Sequence, residues 1–166
     1  EGEQQAHPHY TRSAAESALD FSASRLATLE HELVRVGMGE VIRKQPICAL
    51  QPNLPPKRVF DELYVHMSQL RNVMKADVNF LSNRWLFRYL TQILDGRMID
   101  YLIAQRAQYL SSPVSINVNV ETLISDKFQM FNDVIPQAAR SSVVLEVPVV
   151  DAFADMTGFM VARKQV

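Results

Sequence analysis

The chain has little of what marks secreted, membrane-spanning or nucleic-acid-binding proteins. Its 166 residues include one cysteine, Cys48, which excludes an internal disulfide and indicates a reducing, cytoplasmic compartment. Cys48 lies in the apolar run QPICAL at residues 45–50, and this run predicts a buried, inert thiol. No apolar run approaches the roughly 20 residues of a membrane-spanning helix, so we expect no membrane span in this chain.

An excess of charge of one sign is also lacking. The formal net charge is −1 and the isoelectric point is about 6.5, which gives no electrostatic reason to expect a nucleic acid polymer or an anionic membrane as partner. The hydrophobic fraction, 48%, is ordinary for a globular protein, and the length allows one domain with a core. The chain begins with Glu1 and has no signal-peptide pattern, so we expect a piece of a longer protein.

The first 37 residues divide into two segments. Residues 1–13 (EGEQQAHPHYTRS) are polar and aperiodic, and we interpret them as a disordered lead-in. Residues 14–37 predict an N-terminal amphipathic helix that ends at Gly37. Its stripe is formed by Leu19, Ser22, Leu26, Leu29, Leu33 and Val36. Such a stripe packs against the domain's own core or forms a short coiled coil with a second chain, and the sequence leaves both open.

Residues 38–166 predict an α/β domain. Strands are predicted at residues 40–50, 57–67, 112–123 and 141–149, and helices at 79–110, 125–139 and 151–166. Asp95-Gly96 predicts a break between two helices, Pro136 marks a last turn or a kink, and Asp151 is a candidate N-cap. Strands that alternate with helices favour parallel pairing and right-handed crossovers. The pattern alone does not decide between an open sheet and a partial barrel.

Three of the predicted strands each carry an acid or an amide of interest: Glu62, Asn117 and Glu146. Glu146 stands in a run that is apolar on both faces, where a lone carboxylate is costly unless it is paired, hydrogen-bonded or bound to a metal. Glutamate and asparagine oxygens suit a hard cation such as Mg²⁺, Mn²⁺ or Ca²⁺. Each residue also has an ordinary alternative. Glu62 fits a solvated strand residue, Asn117 an edge or capping amide, and Glu146 a helix cap.

Four short motifs occur in an order that resembles one bacterial family. They are QPI at residues 45–47, ELYVH at 62–66, SINVN at 115–119 and VVLEVPV at 143–149. They are similar to the landmarks Q-P-I, E-A-L-L-R, S-I-N-L-S and L-E-L-T-E of EAL domains, the bacterial cyclic di-GMP phosphodiesterases and their catalytically dead relatives. The resemblance covers about residues 25–166 and the N-terminal half of that domain. It implies a partial (β/α)₈ TIM-barrel fold that is preceded by the N-terminal helix. Residues 40–50 would form the one antiparallel strand of this barrel.

The resemblance also implies site residues. Gln45, Glu62 and His66 match positions that contact the nucleotide, and Glu62, Asn117 and Glu146 match the metal ligands, with Mg²⁺, Mn²⁺ or Ca²⁺ as the implied cofactor. In active relatives two cations activate water and hold a phosphate of cyclic di-GMP for in-line attack.

Several positions depart from the pattern of active EAL domains. His66 replaces an arginine that pairs with a ligand phosphate, and a histidine is a weaker, pH-dependent phosphate partner. Leu63 stands for a small alanine, while Pro148 and Val149 stand for the threonine and the second glutamate of L-E-L-T-E. The family's paired aspartates and catalytic lysine fall beyond Val166. We therefore assign no catalytic residue and expect no hydrolysis by this chain alone.

Three functions compete. The one we favour is a degenerate, non-catalytic signalling module of the bacterial cytoplasm that senses cyclic di-GMP or acts through protein contacts. The second is the N-terminal fragment of an active cyclic di-GMP phosphodiesterase. The third is a structural module that dimerises through the helix at 14–36 and binds no nucleotide. We expect a homodimer or another protein partner.

Overall fold

The structure, a computed structural model, describes residues 19–165, apart from the side chain of Ala138. The predicted lead-in at residues 1–13 and the first residues of the predicted helix at 14–37 lie outside this range. Inside it, no helix combines the length and the apolar character that a membrane crossing requires.

The described range contains six strands and ten α-helices. The strands are β1 (Leu19–Asp20), β2 (Ile42–Ala49), β3 (Lys57–Val65), β4 (Val78–Asn79), β5 (Val114–Asn117) and β6 (Val143–Glu146). The helices are α1 (Ala23–Leu33), α2 (Met38–Val41), α3 (Met67–Val73), α4 (Arg84–Ala104), α5 (Arg106–Tyr109), α6 (Val120–Leu123), α7 (Asp126–Val134), α8 (Gln137–Arg140), α9 (Val149–Ala154) and α10 (Met156–Gln165). A 3₁₀ turn at Phe80–Ser82 precedes α4.

The main sheet has four strands in the order β2-β3-β5-β6. β2 is antiparallel to β3, whereas β3, β5 and β6 are parallel to one another, as the alternation of strands and helices predicts. β1 and β4 form a separate parallel pair. The prediction of a mixed α/β domain is confirmed, and the described strands do not close into a barrel.

One face of the main sheet carries the core. Leu63, Ile116 and Leu145 stand side by side across β3, β5 and β6, and the first two are completely buried. They pack in one cluster with Leu94 from α4 and Phe131 from α7. Burying a side chain of this size stabilises the fold by about 1.5–3 kcal/mol. Because successive strand residues point to opposite sides, the residues between them face away from this core.

The N-terminal leucine stripe is part of the same core. α1 begins at Ala23 rather than before it, because Ser22 is its N-cap and its hydroxyl accepts from the backbone N–H of Arg25 at 3.4 Å. Leu19 lies in β1 instead. The remaining apolar positions of the stripe, Leu26, Leu29, Leu33 and Val36, are buried. In the described chain the stripe therefore packs against the domain itself, which is the first of the two alternatives that its periodicity leaves open.

The predicted helix break at Asp95-Gly96 is wrong. α4 runs without interruption from Arg84 to Ala104, and the next helix begins after Gln105. A buried stripe continues across the pair at Leu90, Leu94, Met98 and Leu102. A glycine inside a helix costs about 1 kcal/mol relative to alanine. The burial of the stripe outweighs that cost.

Asn83 fixes the start of α4. Its side-chain oxygen accepts from the backbone N–H groups of Trp85 at 3.1 Å and Leu86 at 3.2 Å. We expect Asn83→Ala to lower the free energy of unfolding by about 1 kcal/mol, the usual effect of losing an N-cap. Urea denaturation measures the change. Gln51→Ala, at an exposed loop position, is the control, and equal losses in the two variants would contradict the capping role.

The predicted strands at the C-terminal side end earlier than expected. The strand predicted at 112–123 covers only β5, because the carboxylates of Asp95 and Asp151 accept from the backbone N–H groups of Asn119 at 2.7 Å and Val120 at 2.5 Å. These two hydrogen bonds to distant residues end the strand, and α6 begins at Val120. The strand predicted at 141–149 likewise stops at Glu146.

The two predicted C-terminal helices are each divided. Pro136 lies between α7 and α8, where it lacks the N–H that a continuing helix needs. The helix predicted at 151–166 begins at Val149 and is interrupted at Asp155. The Asp155 carboxylate accepts from the Gly158 N–H at 2.8 Å, which caps α10.

The prediction of a buried thiol at Cys48 is also wrong. Cys48 is exposed. It follows a register shift between Ile47 and Cys48 on β2, a strand that pairs on one side only among the described residues. An irregular edge strand leaves even apolar side chains accessible to solvent.

Candidate functional site

A polar row crosses three strands on the face of the sheet opposite the core. Glu62 of β3 stands beside Gln45 of β2 in the antiparallel register. Gln45 Nε2 donates to Glu62 Oε2 at 2.5 Å, and Asn117 Nδ2 of β5 donates to Glu62 Oε1 at 3.0 Å. Three of the predicted site residues, from three separate motifs, are therefore in direct contact. Asn117 is exposed and its amide turns toward Glu62.

Glu146 extends this row to a fourth strand. It lies opposite Asn117 in the parallel register of β5 and β6 and is half-buried. Between residues 19 and 165, the hydrogen bonds of the row end at Asn117 and do not reach the Glu146 carboxylate. Glu146 is thus a neighbour of the contacting trio and its carboxylate is not engaged by it.

Neighbouring acids on β3 have different roles. Asp61 is buried on the opposite side of the strand from Glu62, where it pairs with Lys44 at 2.7 Å and with Arg58. Burial alone would raise the pKa of Asp61, but the hydrogen bonds and charges of Arg58 and Lys44 outweigh it and hold that pKa below its usual value. Asp61 is a structural carboxylate, and Glu62 is the one that faces the polar row.

The row contains the oxygen donors of a hard-cation site. Glu62, Asn117 and Glu146 can supply two carboxylates and one amide oxygen from adjacent strands. In the arrangement described, both amides present N–H groups to Glu62. The Asn117 amide would have to rotate to offer its oxygen, a change that terminal sp² groups make readily. No cluster of three or more His, Cys, Asp or Glu side chains poised for a metal occurs between residues 19 and 165.

His66 follows the end of β3 and, among the described residues, is not hydrogen-bonded to this trio. It is the N-cap of α3, and its Nδ1 accepts from the backbone N–H of Gln69 at 3.1 Å. The ring is exposed and its centroid lies 6.2 Å from that of Tyr64. The capping bond commits Nδ1, so Nε2 is the nitrogen available to a ligand.

The sequence did not reveal a second polar cluster beside the carboxyl end of β5. Asp95 Oδ2 of α4 accepts from Asn119 twice, from the backbone N–H at 2.7 Å and from Nδ2 at 2.6 Å, and from the Thr122 hydroxyl at 3.3 Å. Asn119 Nδ2 also donates to the Thr91 hydroxyl at 3.2 Å. Burial raises the pKa of Asp95 to about 6, although the hydrogen bonds from Asn119 and Thr122 oppose the shift.

Asp151 anchors the other side of this cluster. It is 4% exposed, and its Oδ2 accepts from the first N–H of α6, that of Val120. Its Oδ1 forms an ion pair with Arg88 of α4. The sequence predicts Asp151 as the N-cap of its own helix. In the structure it lies inside the first turn of α9 and satisfies the N-terminus of a different helix.

This second cluster could not be predicted from the sequence, because it forms only when distant segments of the chain come into contact. Asp95, Asn119 and Asp151 come from three separate stretches of the chain. From the sequence alone, Asp95 is interpreted as part of a helix break, Asn119 as a strand residue and Asp151 as a helix cap. The one sequence signal was the acid at the start of α9. Comparison of the chain with protein-family models, with curated proteins and with solved structures finds no significant match.

Proposed function

We propose that this chain is a degenerate EAL-like signalling module of the bacterial cytoplasm that binds cyclic di-GMP without hydrolysing it. The observation that carries the proposal is the contact among Gln45, Glu62 and Asn117. These residues belong to three motifs that resemble successive EAL landmarks. The strand arrangement supports it, since one antiparallel strand followed by three parallel strands is what the resemblance implies for the first half of a (β/α)₈ barrel.

The polar row supplies the binding chemistry. Two carboxylates and an amide fit Mg²⁺, Mn²⁺ or Ca²⁺, and water completes the shell of such ions. Glu62, Asn117 and Glu146 would hold the ion, whose charge would attract a phosphate of the nucleotide. Gln45 Nε2, in the middle of β2 beside Glu62, and His66 Nε2, just after β3, would be further donors to ligand oxygens.

The residues around the row favour binding over hydrolysis. Two-metal hydrolysis needs bridging carboxylates and a group that activates water. In the described chain the row has two carboxylates, Glu62 and Glu146, and the nearby Lys44 is paired with Asp61. His66 Nδ1 is occupied by its helix cap. A receptor role requires none of the missing groups.

Protein contacts are the second candidate, and one observation favours them. Large apolar side chains are exposed together on α9 and α10, namely Val149, Val150, Phe153, Met156, Met160 and Val161. Exposed apolar patches of this kind commonly mark protein interaction sites. A signalling module of the EAL type that has lost catalysis would use such a surface to transmit its ligand state.

Glu62→Gln tests the nucleotide site. We expect the affinity for cyclic di-GMP, measured by isothermal titration calorimetry with Mg²⁺ present, to fall at least about tenfold, because hydrogen bonds and metal contacts to a charged group contribute about 1.5–3 kcal/mol. Glu121→Gln removes an exposed carboxylate from α6 and is the matched control. Unchanged affinity in Glu62→Gln would exclude the polar row as the binding site.

A further inference from the structure

A cavity of about 460 Å³ opens beside α4 at the carboxyl ends of β3 and β5. Its volume lies within the range of roughly 300–1,000 Å³ that suits small-molecule ligands. The inner wall is apolar and includes Leu63, Val65, Phe87, Leu94 and Met98. α9 closes the side opposite the strands through Val150, Asp151 and Ala154. This wall favours an apolar body over a fully polar ligand.

The mouth of the cavity is basic and aromatic. Arg84 and Arg88 line it from the first two turns of α4 and, four residues apart, lie on the same side of the helix. The Arg84 guanidinium lies 4.8 Å from the centroid of the Trp85 ring. Trp85 also lines the cavity and is 64% exposed. The positive end of the α4 dipole adds to the charge of the two arginines.

Two carboxylates also line the wall, and the ion pair of Asp151 offsets the charge of Arg88, so Arg84 and the N-terminal end of α4 are the main positive charges at the mouth. Asp151 is engaged by Arg88 and by the Val120 N–H, and Asp95 accepts from Asn119 and Thr122. With a pKa near 6, Asp95 also carries less than a full charge in mildly acidic solution. Arg88 uses Nη2 for its ion pair, while its buried Nε lacks an acceptor among the described residues.

We propose that this cavity binds an aromatic anion, a molecule with one flat apolar ring and one carboxylate or phosphate group. The ring enters between the apolar wall and Trp85, where burial and stacking favour it. The anionic group remains at the mouth, where the guanidinium of Arg84 binds carboxylate and phosphate well and the N-terminal end of α4 adds positive charge. The cavity shares Asn117 with the polar row, but Glu62 does not line it, so this proposal stands apart from cyclic di-GMP binding.

Trp85 makes the proposal testable without a label, because it is the single tryptophan of the chain. Phenyl phosphate and benzoate are titrated into the full chain while tryptophan emission is recorded. We expect a saturable change with at least one of them, and the stronger of the two identifies the anionic group. Inorganic phosphate alone and benzyl alcohol alone should bind at least tenfold more weakly. A folded chain that shows no saturable change, or one equal with inorganic phosphate, would overturn the proposal.

Variants locate the probe. Arg84→Gln removes charge from the mouth, and Ala154→Phe fills it from an exposed position on α9. Each should weaken phenyl phosphate binding at least tenfold. Arg106→Gln, at an exposed arginine outside the cavity, should leave binding unchanged. Equal losses of affinity in Arg84→Gln and Arg106→Gln would indicate non-specific electrostatic binding and contradict the proposal. A loss of affinity confined to Glu62→Gln would show that the probe binds at the polar row instead of the cavity.

Discussion

Asp151→Ala is expected to lower the free energy of unfolding by about 3 kcal/mol. Removing one partner of a buried ion pair costs about 3–5 kcal/mol, because the other charge is left uncompensated. Arg88 is 31% exposed and can regain some water, which places the effect at the lower end. The substitution also leaves the Val120 N–H, at the start of α6, without its acceptor. Urea denaturation at neutral pH measures the loss.

Two further variants show whether this loss comes from burial. Asp133→Ala removes an exposed carboxylate near the end of α7 and should change stability by no more than about 0.5 kcal/mol. Asp151→Asn retains an acceptor for Val120 but loses the charge, so its stability should lie between those of wild type and Asp151→Ala. If Asp151→Ala were no less stable than Asp133→Ala, the cluster would not hold α6 and α9 together.

Asp95→Asn is expected to stabilise the protein above pH 7 and to flatten its stability between about pH 4 and pH 6. The folded-state pKa of about 6 lies above the ordinary value of 3.8. A raised carboxyl pKa contributes stability that is complete below the unfolded value and is lost as the pH rises through the folded one. The shift of about two units corresponds to about 3 kcal/mol, at about 1.4 kcal/mol per unit. An asparagine has no such penalty and keeps an oxygen for Asn119.

Denaturation curves at a series of pH values test this directly. Asp100→Asn, on the same helix, removes an exposed carboxylate that pairs with Lys127, and it should shift stability by no more than about 1 kcal/mol at any pH. A wild-type stability that does not fall between pH 4 and pH 6 relative to Asp95→Asn would contradict the raised pKa. So would an Asp95→Asn variant that is less stable than wild type at pH 8.

The hydrophobic pattern of the sequence predicted the four strands of the main sheet. The strands around Glu62 and Asn117 carry period-two alternation or continuous apolar runs, and the sheet pairs them in chain order. The α4 break was mispredicted because Asp95-Gly96 is a poor helix pair locally, while the buried stripe that overrides it becomes visible only in the packed core. Burial of this stripe in the tertiary structure therefore keeps α4 continuous.

The polar row could be predicted from the sequence, whereas the cluster around Asp95 and the cavity could not. The polar row was found because Gln45, Glu62 and Asn117 each lie in a motif, and register then brings them together. The cluster of Asp95, Asn119 and Asp151 was missed because its bonds join segments at least 24 residues apart. The cavity beside it requires the relative placement of α4 and α9, which periodicity does not supply.

A calorimetric titration of this chain with cyclic di-GMP, once with Mg²⁺ or Ca²⁺ and once with a chelator, measures whether the chain is a nucleotide receptor. We expect micromolar or tighter binding that weakens without the cation, since Glu62, Asn117 and Glu146 would hold the cation beside the phosphate. The nucleotide should be recovered intact. A folded chain that gives no heat of binding in either condition would contradict the nucleotide receptor.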